Sequence, residues 1–435
     1  MINLGAIIGA GIFVIIGIAI GEAGPSIVVS IVISGIIAML TGLSFAELAR
    51  HVAKEGGVYE YAKESFRPSA GFIGGWLWTF GNIIAISAVS LSFGGYVDNL
   101  FSIGIPPLYF ALISIAAFAG INLLGIKNSA KTITVFVVIN VAVLILFIIA
   151  GIFSFNPSNL IDFAPNGFSG TLTGAAIIFF AFTGFSRITT ISDEVKDPER
   201  TIPRAIIISI VISIALYAAV AFVAVGMVPY NLLAKASAPL ATAISGLHIG
   251  ILLVIIGIGG VTATSGVILT GILGTSRVLF ALGRDGELPK QLSFIDRFST
   301  PSNAIIVSSV LSALFILFIS FGAIVDSSNA AVLGSYFIIN FSAFYFYFKL
   351  KKEKKREKRY IPAVSIAGML SILLLVAYLD IVSLEIILVT TMIGIFYYAA
   401  KNTGLLNRVV GLKKHKIVPN HSDVRTFGGS RVKKD

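Results

Sequence analysis

The 435-residue chain has no cysteine. That excludes disulfides, thiolate metal sites, a cysteine nucleophile and any disulfide-linked partner subunit. Charge is nearly as scarce, at 12% of residues against roughly a quarter in soluble domains. The four histidines, His51, His248, His415 and His421, are scattered near loops and the tail without metal-ligand spacing. No Asp or Glu falls in the middle of an apolar run, so the clustered acids, histidines or metal ligands of a membrane enzyme are missing. So are the charge rings or filter repeat of an ion channel and any phosphate-binding loop for direct ATP hydrolysis. The first residues also lack the basic segment and small-residue cleavage site of a signal peptide.

What is present is apolar. Hydrophobic residues make up 56% of the chain, and the mean hydropathy is +0.96. A membrane-crossing helix needs about 20 mostly apolar residues. Twelve stretches qualify, at about 1–20, 27–49, 71–97, 107–124, 130–153, 171–192, 203–227, 249–280, 303–321, 331–349, 362–379 and 385–400. Threaded as alternating spans, they leave every one of the 32 Lys and Arg residues except Lys235 on one side. Loop bias of that kind fixes orientation during insertion, basic side inward. The pattern predicts an all-α, multi-pass protein of the plasma membrane with both termini cytoplasmic. The net charge of +11 follows from the same bias and from attraction to anionic lipid, so no nucleic-acid partner is implied. Residues 1–400 read as one helical domain, and 401–435 as a basic cytoplasmic tail.

Two spans stand apart. The first carries Gly5, Gly9 and Gly11 within GAIIGAGIF, and the sixth carries Gly184 within FFAFTGF. Glycine costs roughly 1 kcal/mol in a helix interior relative to Ala, and it is where a helix can open and expose its backbone. Small residues at such spacing also serve close helix packing. Two glycine-interrupted segments five spans apart are the pattern of an inverted-repeat carrier that holds its solute at the midplane.

The motifs IIGAGIF (7–13), EAGPS (22–26), FAELARHVAKEGGVYEYAKESF (45–66), FFAFTGF with DEVKDPERTIPRAI (193–206), and SRVLFALGRDGELP (276–289) resemble the amino acid–polyamine–organocation permeases. The early loops are most similar to the cationic amino acid transporter branch. The resemblance implies a five-plus-five inverted repeat, about 1–153 and 171–349, with discontinuous helices 1 and 6 and two added C-terminal helices (362–400). It also implies a cytoplasmic segment and a longer first half-helix, whereas Met1 here lies inside that half-helix; the expectation is a misassigned start or a shortened gate.

A zwitterion in a low-dielectric bundle needs both ends neutralised without burying full countercharges. Open backbone amides at a helix break suit its carboxylate, a role assigned to Gly9, Ala10 and Gly11 with Ile7 lining the pocket. By resemblance, the carbonyls of Phe180, Ala181 and Thr183 take the ammonium, and Phe182 or Phe185 forms an aromatic gate. With no acid in mid-span, the expected substrate is a neutral, mainly apolar amino acid. A polyamine or cationic amino acid permease or antiporter is the alternative.

Arg187, three residues past Gly184, either recognises an acidic substrate or pairs with Asp193 or Glu194, and the pairing is the preferred reading. It is grouped with Glu194, Arg204, Arg277 and Asp285 as a cytoplasmic gate. For coupling, the family's proton-coupled members place a lysine in the fifth span, where this chain has Asn140. Thr264 and Ser265 offer hard oxygens for Na⁺, or bond back to their own helix. The family likeness favours proton symport or exchange over sodium coupling. No other cofactor is expected, and the protein should act as a monomer or weak homo-oligomer in lipid.

Overall fold

The computed structural model describes residues 1–9, 11–101, 104–236, 238–318, 321–353 and 358–403, and among these there is no β-strand. Ala10 and the basic tail beyond residue 403 lie outside the described residues. Among the described residues, eight stretches are long and apolar enough to cross a bilayer, and the helices at 107–123, 302–317 and 361–376 are apolar but shorter. The first stretch, Ile2–Ala49, contains two of the expected spans.

Those two spans divide at Gly24–Ser26, where Gly24 has φ +63° and a Cβ would overlap the Pro165 ring. The second of them is α3 (Ile27–Ala49), followed by a short amphipathic α4 (Val58–Ser65) and the long α5 (Pro68–Phe101). Then follow α6 (Pro107–Leu123), α7 (Ile126–Ile152), α8 (Gly167–Ile178) and α9 (Pro198–Met227). Two short helices, α10 (Tyr230–Ala234) and α11 (Pro239–Ser245), precede α12 (Gly250–Arg284). The chain closes with α13 (Ser302–Phe318), α14 (Phe321–Lys352), α15 (Ile361–Val376) and α16 (Ile381–Asn402). Prolines open α5, α6, α9 and α11, where a missing N–H costs nothing.

The helices sort their surfaces as lipid demands. Large apolar side chains such as Ile113, Leu388 and Phe396 point outward, while the interior is knitted by small hydroxyl and amide residues. Ser30 and Ser34 of α3 donate to the carbonyls of Thr171 and Ala175 in α8, each within 2.7 Å. Ser44 donates to Asn340 Oδ1 of α14, whose amide donates to Thr41. Water is absent from a bilayer core, so polar groups there must pair across helices. This is a multi-pass helical membrane protein.

Candidate functional site

The first span breaks where the glycines predict. Helix α1 (Ile2–Ile7) ends at Ile8, which is extended at φ −72°, ψ 93°. From Gly11 the chain runs as a π-helical turn, Gly11–Ile15, into α2 (Ile16–Ala23). Single π turns inside α-helices occur often at functional sites. The first amides of a restarted helix have no intrahelical acceptor and carry its positive end.

The sixth span differs from expectation. It does not open at Gly184. Helix α8 tightens at Phe179 into a 3₁₀ helix that continues to Glu194, and its one non-helical residue is Ile191 (φ −113°, ψ 28°). The correction has a physical reason: Gly184 is used for close approach. A Cβ there would overlap the carbonyl of Ala6, and a Cβ on Gly11 would overlap Ala181. The narrow 3₁₀ helix and the broken first span therefore touch backbone to backbone. The 16 residues are two 3₁₀ helices joined across the kink at Ile191, and the part before the kink is still far longer than the usual three or four residues, which marks a segment held by its surroundings.

The structure sets Gly11 against Ala181, and Gly184 against Ala6 and the Ile7 amide; Ile7, Gly9, Gly11, Phe180, Ala181 and Thr183 are all buried. Their backbone groups are met by hydroxyls. Tyr217 of α9 donates to the Ile7 carbonyl at 2.6 Å, and Tyr96 of α5 donates to the Phe13 carbonyl at 2.6 Å. Tyr336 of α14 donates to the Thr183 carbonyl at 2.5 Å and also bonds Ser186 Oγ at 2.8 Å. The Phe180 carbonyl accepts from Thr183 Oγ1 at 2.8 Å. Sequence reasoning missed these three tyrosines. Their signal was a phenol inside an apolar run, because a buried Tyr hydroxyl seeks a partner.

The two aromatic-gate residues are packed. Phe182 lies 5.5 Å from the Tyr217 ring. Phe185 meets Phe45 edge-on at 5.6 Å and Tyr336 at 5.1 Å. Asn140 accepts from Thr262 Oγ1 at 2.6 Å. Thr264 donates to the Gly260 and Val261 carbonyls, and Ser265 to Val261; both hydroxyls bond back to their own helix.

Arg187 is corrected too. It does not pair with Asp193 or Glu194. Its side chain points inward, 3% exposed, where Nε donates to Asn82 Oδ1 at 3.2 Å. Nη1 donates to the Val267 carbonyl and to Thr270 Oγ1 at 3.2 and 3.0 Å. Asp193 instead accepts from the Glu55 amide, and Glu194 pairs with Arg277 at 3.1 Å. Arg204 is exposed at the start of α9.

The other charged residues close one end of the bundle. Asp285 accepts from Tyr59 at 2.7 Å and pairs with Lys63 and Arg284. Glu60 is wholly buried between Lys63 and Arg284. Burial raises the Glu60 carboxyl, offset only in part by those two cations. Burial also works on Asp285, but hydrogen bonds from Lys63, Tyr59 and Arg284 hold it below the usual range. Glu55, against Arg284 at 3.6 Å, is pushed up to about 7, chiefly by burial and then by neighbouring Asp193. The loop holding EGGVYEY and the end of SRVLFALGRDGELP therefore meet as one ion-pair network. Glu60 was not among the expected gate residues, although it sits in a quoted motif.

The amino acid permease family model matches residues 1–418. The branched-chain amino acid permease BcaP of Bacillus subtilis (strain 168) is 28% identical over 432 residues, which cover 93% of this chain and 92% of that protein. The methylthioribose transporter of the same organism is 30% identical over 359 residues, 78% of each chain. Cationic amino acid transporter 9, chloroplastic, of Arabidopsis thaliana is 33% identical over 317 residues, 68% of this chain and 56% of that protein.

Proposed function

Since the chain belongs to the amino acid permease family, we propose that it is a secondary carrier of neutral, mainly apolar amino acids working by alternating access in the plasma membrane. The observation that carries this reading is the broken first span lying backbone to backbone against the 3₁₀ part of the sixth. The amides that restart at Gly11 take the carboxylate, and carbonyls at Phe180, Ala181 and Thr183 take the ammonium. The Phe180 and Thr183 carbonyls accept hydrogen bonds from hydroxyls. An arriving ammonium must displace or share those bonds.

Side-chain preference follows from what surrounds that position. Ile7, Phe180, Ala181 and Val267 are buried apolar neighbours, and no carboxylate lies among the named site residues. A relative named for branched-chain amino acids aligns over almost the whole chain, which supports the same class. The fold is read as a single domain of twelve spans with both termini cytoplasmic, its first ten forming two interleaved repeats. That reading is supported by packing between partners five spans apart, α3 with α9 and α5 with α12. Coupling is assigned to proton symport or exchange on the family likeness alone; the hydroxyls of Thr264 and Ser265 donate to their own helix, which leaves their lone pairs free and does not decide against sodium.

Competition counterflow in proteoliposomes tests the substrate class. Leucine, alanine and phenylalanine should compete with labelled leucine, and arginine and lysine should not; the reverse order refutes the proposal. Leucine uptake driven by an imposed proton gradient but not a sodium gradient tests the coupling, and sodium dependence contradicts it.

A further inference from the structure

A guanidinium in the middle of a membrane protein is costly unless something compensates it. Arg187 is compensated only by neutral oxygens among the described residues, namely Asn82 Oδ1, the Val267 carbonyl and Thr270 Oγ1. Its Nη2 group has no protein acceptor among them. The Asn82 acceptor is aimed by its own anchor. Asn82 Nδ2 donates to the Trp78 carbonyl at 2.9 Å, which turns its oxygen toward Arg187, and Trp78 Nε1 donates to Ser186 Oγ at 3.0 Å. Gly271 and Gly274 of α12 lie beside the Arg187 side chain, where a Cβ on either would be in ordinary van der Waals contact with it at 3.8 and 3.7 Å. The residue is built in rather than stranded.

Its position relative to the site gives it a use. Arg187 stands three residues beyond Gly184, one 3₁₀ turn or about 6 Å of rise. It also bonds the Val267 carbonyl, and the Val267 side chain is what a Cβ on Gly9 would meet. A fixed positive charge therefore stands behind the Gly9–Val267 contact, with no carboxylate paired to it among the described residues. We propose that Arg187 is a specificity-determining residue that excludes substrates with a cationic side chain by charge repulsion, while its neutral partners leave uncharged side chains unaffected. This rests on the carrier reading above and deepens it. At a separation of about 8 Å and an effective dielectric near 20, two like charges repel enough to disfavour the cationic substrate by tenfold or more.

The test compares wild-type protein with Arg187→Lys and Arg187→Gln in proteoliposomes, reading inhibition of labelled leucine uptake by unlabelled leucine and by unlabelled lysine. Thermal unfolding of each variant reports folding. Wild type and Arg187→Lys should be inhibited by leucine only. Arg187→Gln should keep leucine inhibition and gain lysine inhibition, so that the leucine-over-lysine preference falls by about tenfold or more. A merely structural role would lower uptake in both variants without moving that ratio. The proposal is overturned if Arg187→Gln folds and its ratio is that of wild type, or if the substitution selectively abolishes aspartate or glutamate uptake. Should Arg187→Gln fail to fold, the Arg187→Met variant with the same ratio readout decides. If wild-type protein takes up no neutral amino acid, the carrier reading fails first, independently of Arg187.

Discussion

Gly184 lies directly over the carbonyl of Ala6, so close that a Cβ would overlap the oxygen and its carbon. Neither partner can give way, because both are backbone. Gly184→Ala should push the first and sixth spans apart, cost roughly 1–3 kcal/mol and abolish uptake. Gly95→Ala, with nothing within 4 Å of its Cβ, is the control and should leave both stability and uptake unchanged. Thermal unfolding and leucine uptake of the two variants read the difference.

Tyr217 and Ile7 are coupled through one hydroxyl. Tyr217→Phe removes the donor and leaves the Ile7 carbonyl buried without it, a loss of about 1–3 kcal/mol. The ring still packs on Phe182, so the helix should remain in place. The prediction is weakened substrate binding with a modest fall in melting temperature; unchanged binding contradicts it.

Glu60 is buried while Arg284 reaches the surface. Removing the carboxylate leaves Lys63 and Arg284 without their inner partner. After allowance for solvent screening on Arg284, Glu60→Ala should cost about 2 kcal/mol. A double-mutant cycle with Arg284→Met should show coupling of about 1 kcal/mol or more. Additive effects would mean that the two charges do not work as a pair.

Glu55 makes the charged end sensitive to pH. Its carboxyl in the folded protein titrates at about 7 instead of its ordinary 4.5, so folding favours the protonated form. The stabilisation is complete below about pH 4.5, falls as the unfolded chain ionises, and is gone above about 7. Melting temperature should therefore decline from pH 5 to 7.5. Glu55→Gln, which cannot ionise, should flatten that slope and be the more stable form at pH 7.5. A slope identical to wild type contradicts the prediction.

The break in the first span was legible because GAIIGAGIF packs three glycines into one apolar run, and the membrane itself was legible from the scarcity of charge. Gly184 was found but misjudged: a glycine reports that something comes close or that the backbone bends, and sequence does not say which. Arg187 was misread for a related reason. Helical spacing offered Asp193 and Glu194 as partners, whereas the actual acceptors, Asn82, Val267 and Thr270, come from α5 and α12. Such contacts depend on tertiary packing that no local pattern encodes. Ion pairs such as Glu60–Arg284 and Lys63–Asp285 join residues more than 200 positions apart; the sequence showed the charges without their pairing.

The central claim is that exposed peptide groups of the first and sixth spans grip the two charged ends of an amino acid. Binding of leucine, leucinamide and 2-hydroxy-4-methylpentanoate to the purified protein, by thermal shift or calorimetry, tests it most directly. Leucinamide lacks the carboxylate and the hydroxy acid lacks the ammonium, yet both keep the side chain. The account predicts that leucine binds and that each analogue loses binding by at least tenfold. Analogues that bind as well as leucine would contradict it.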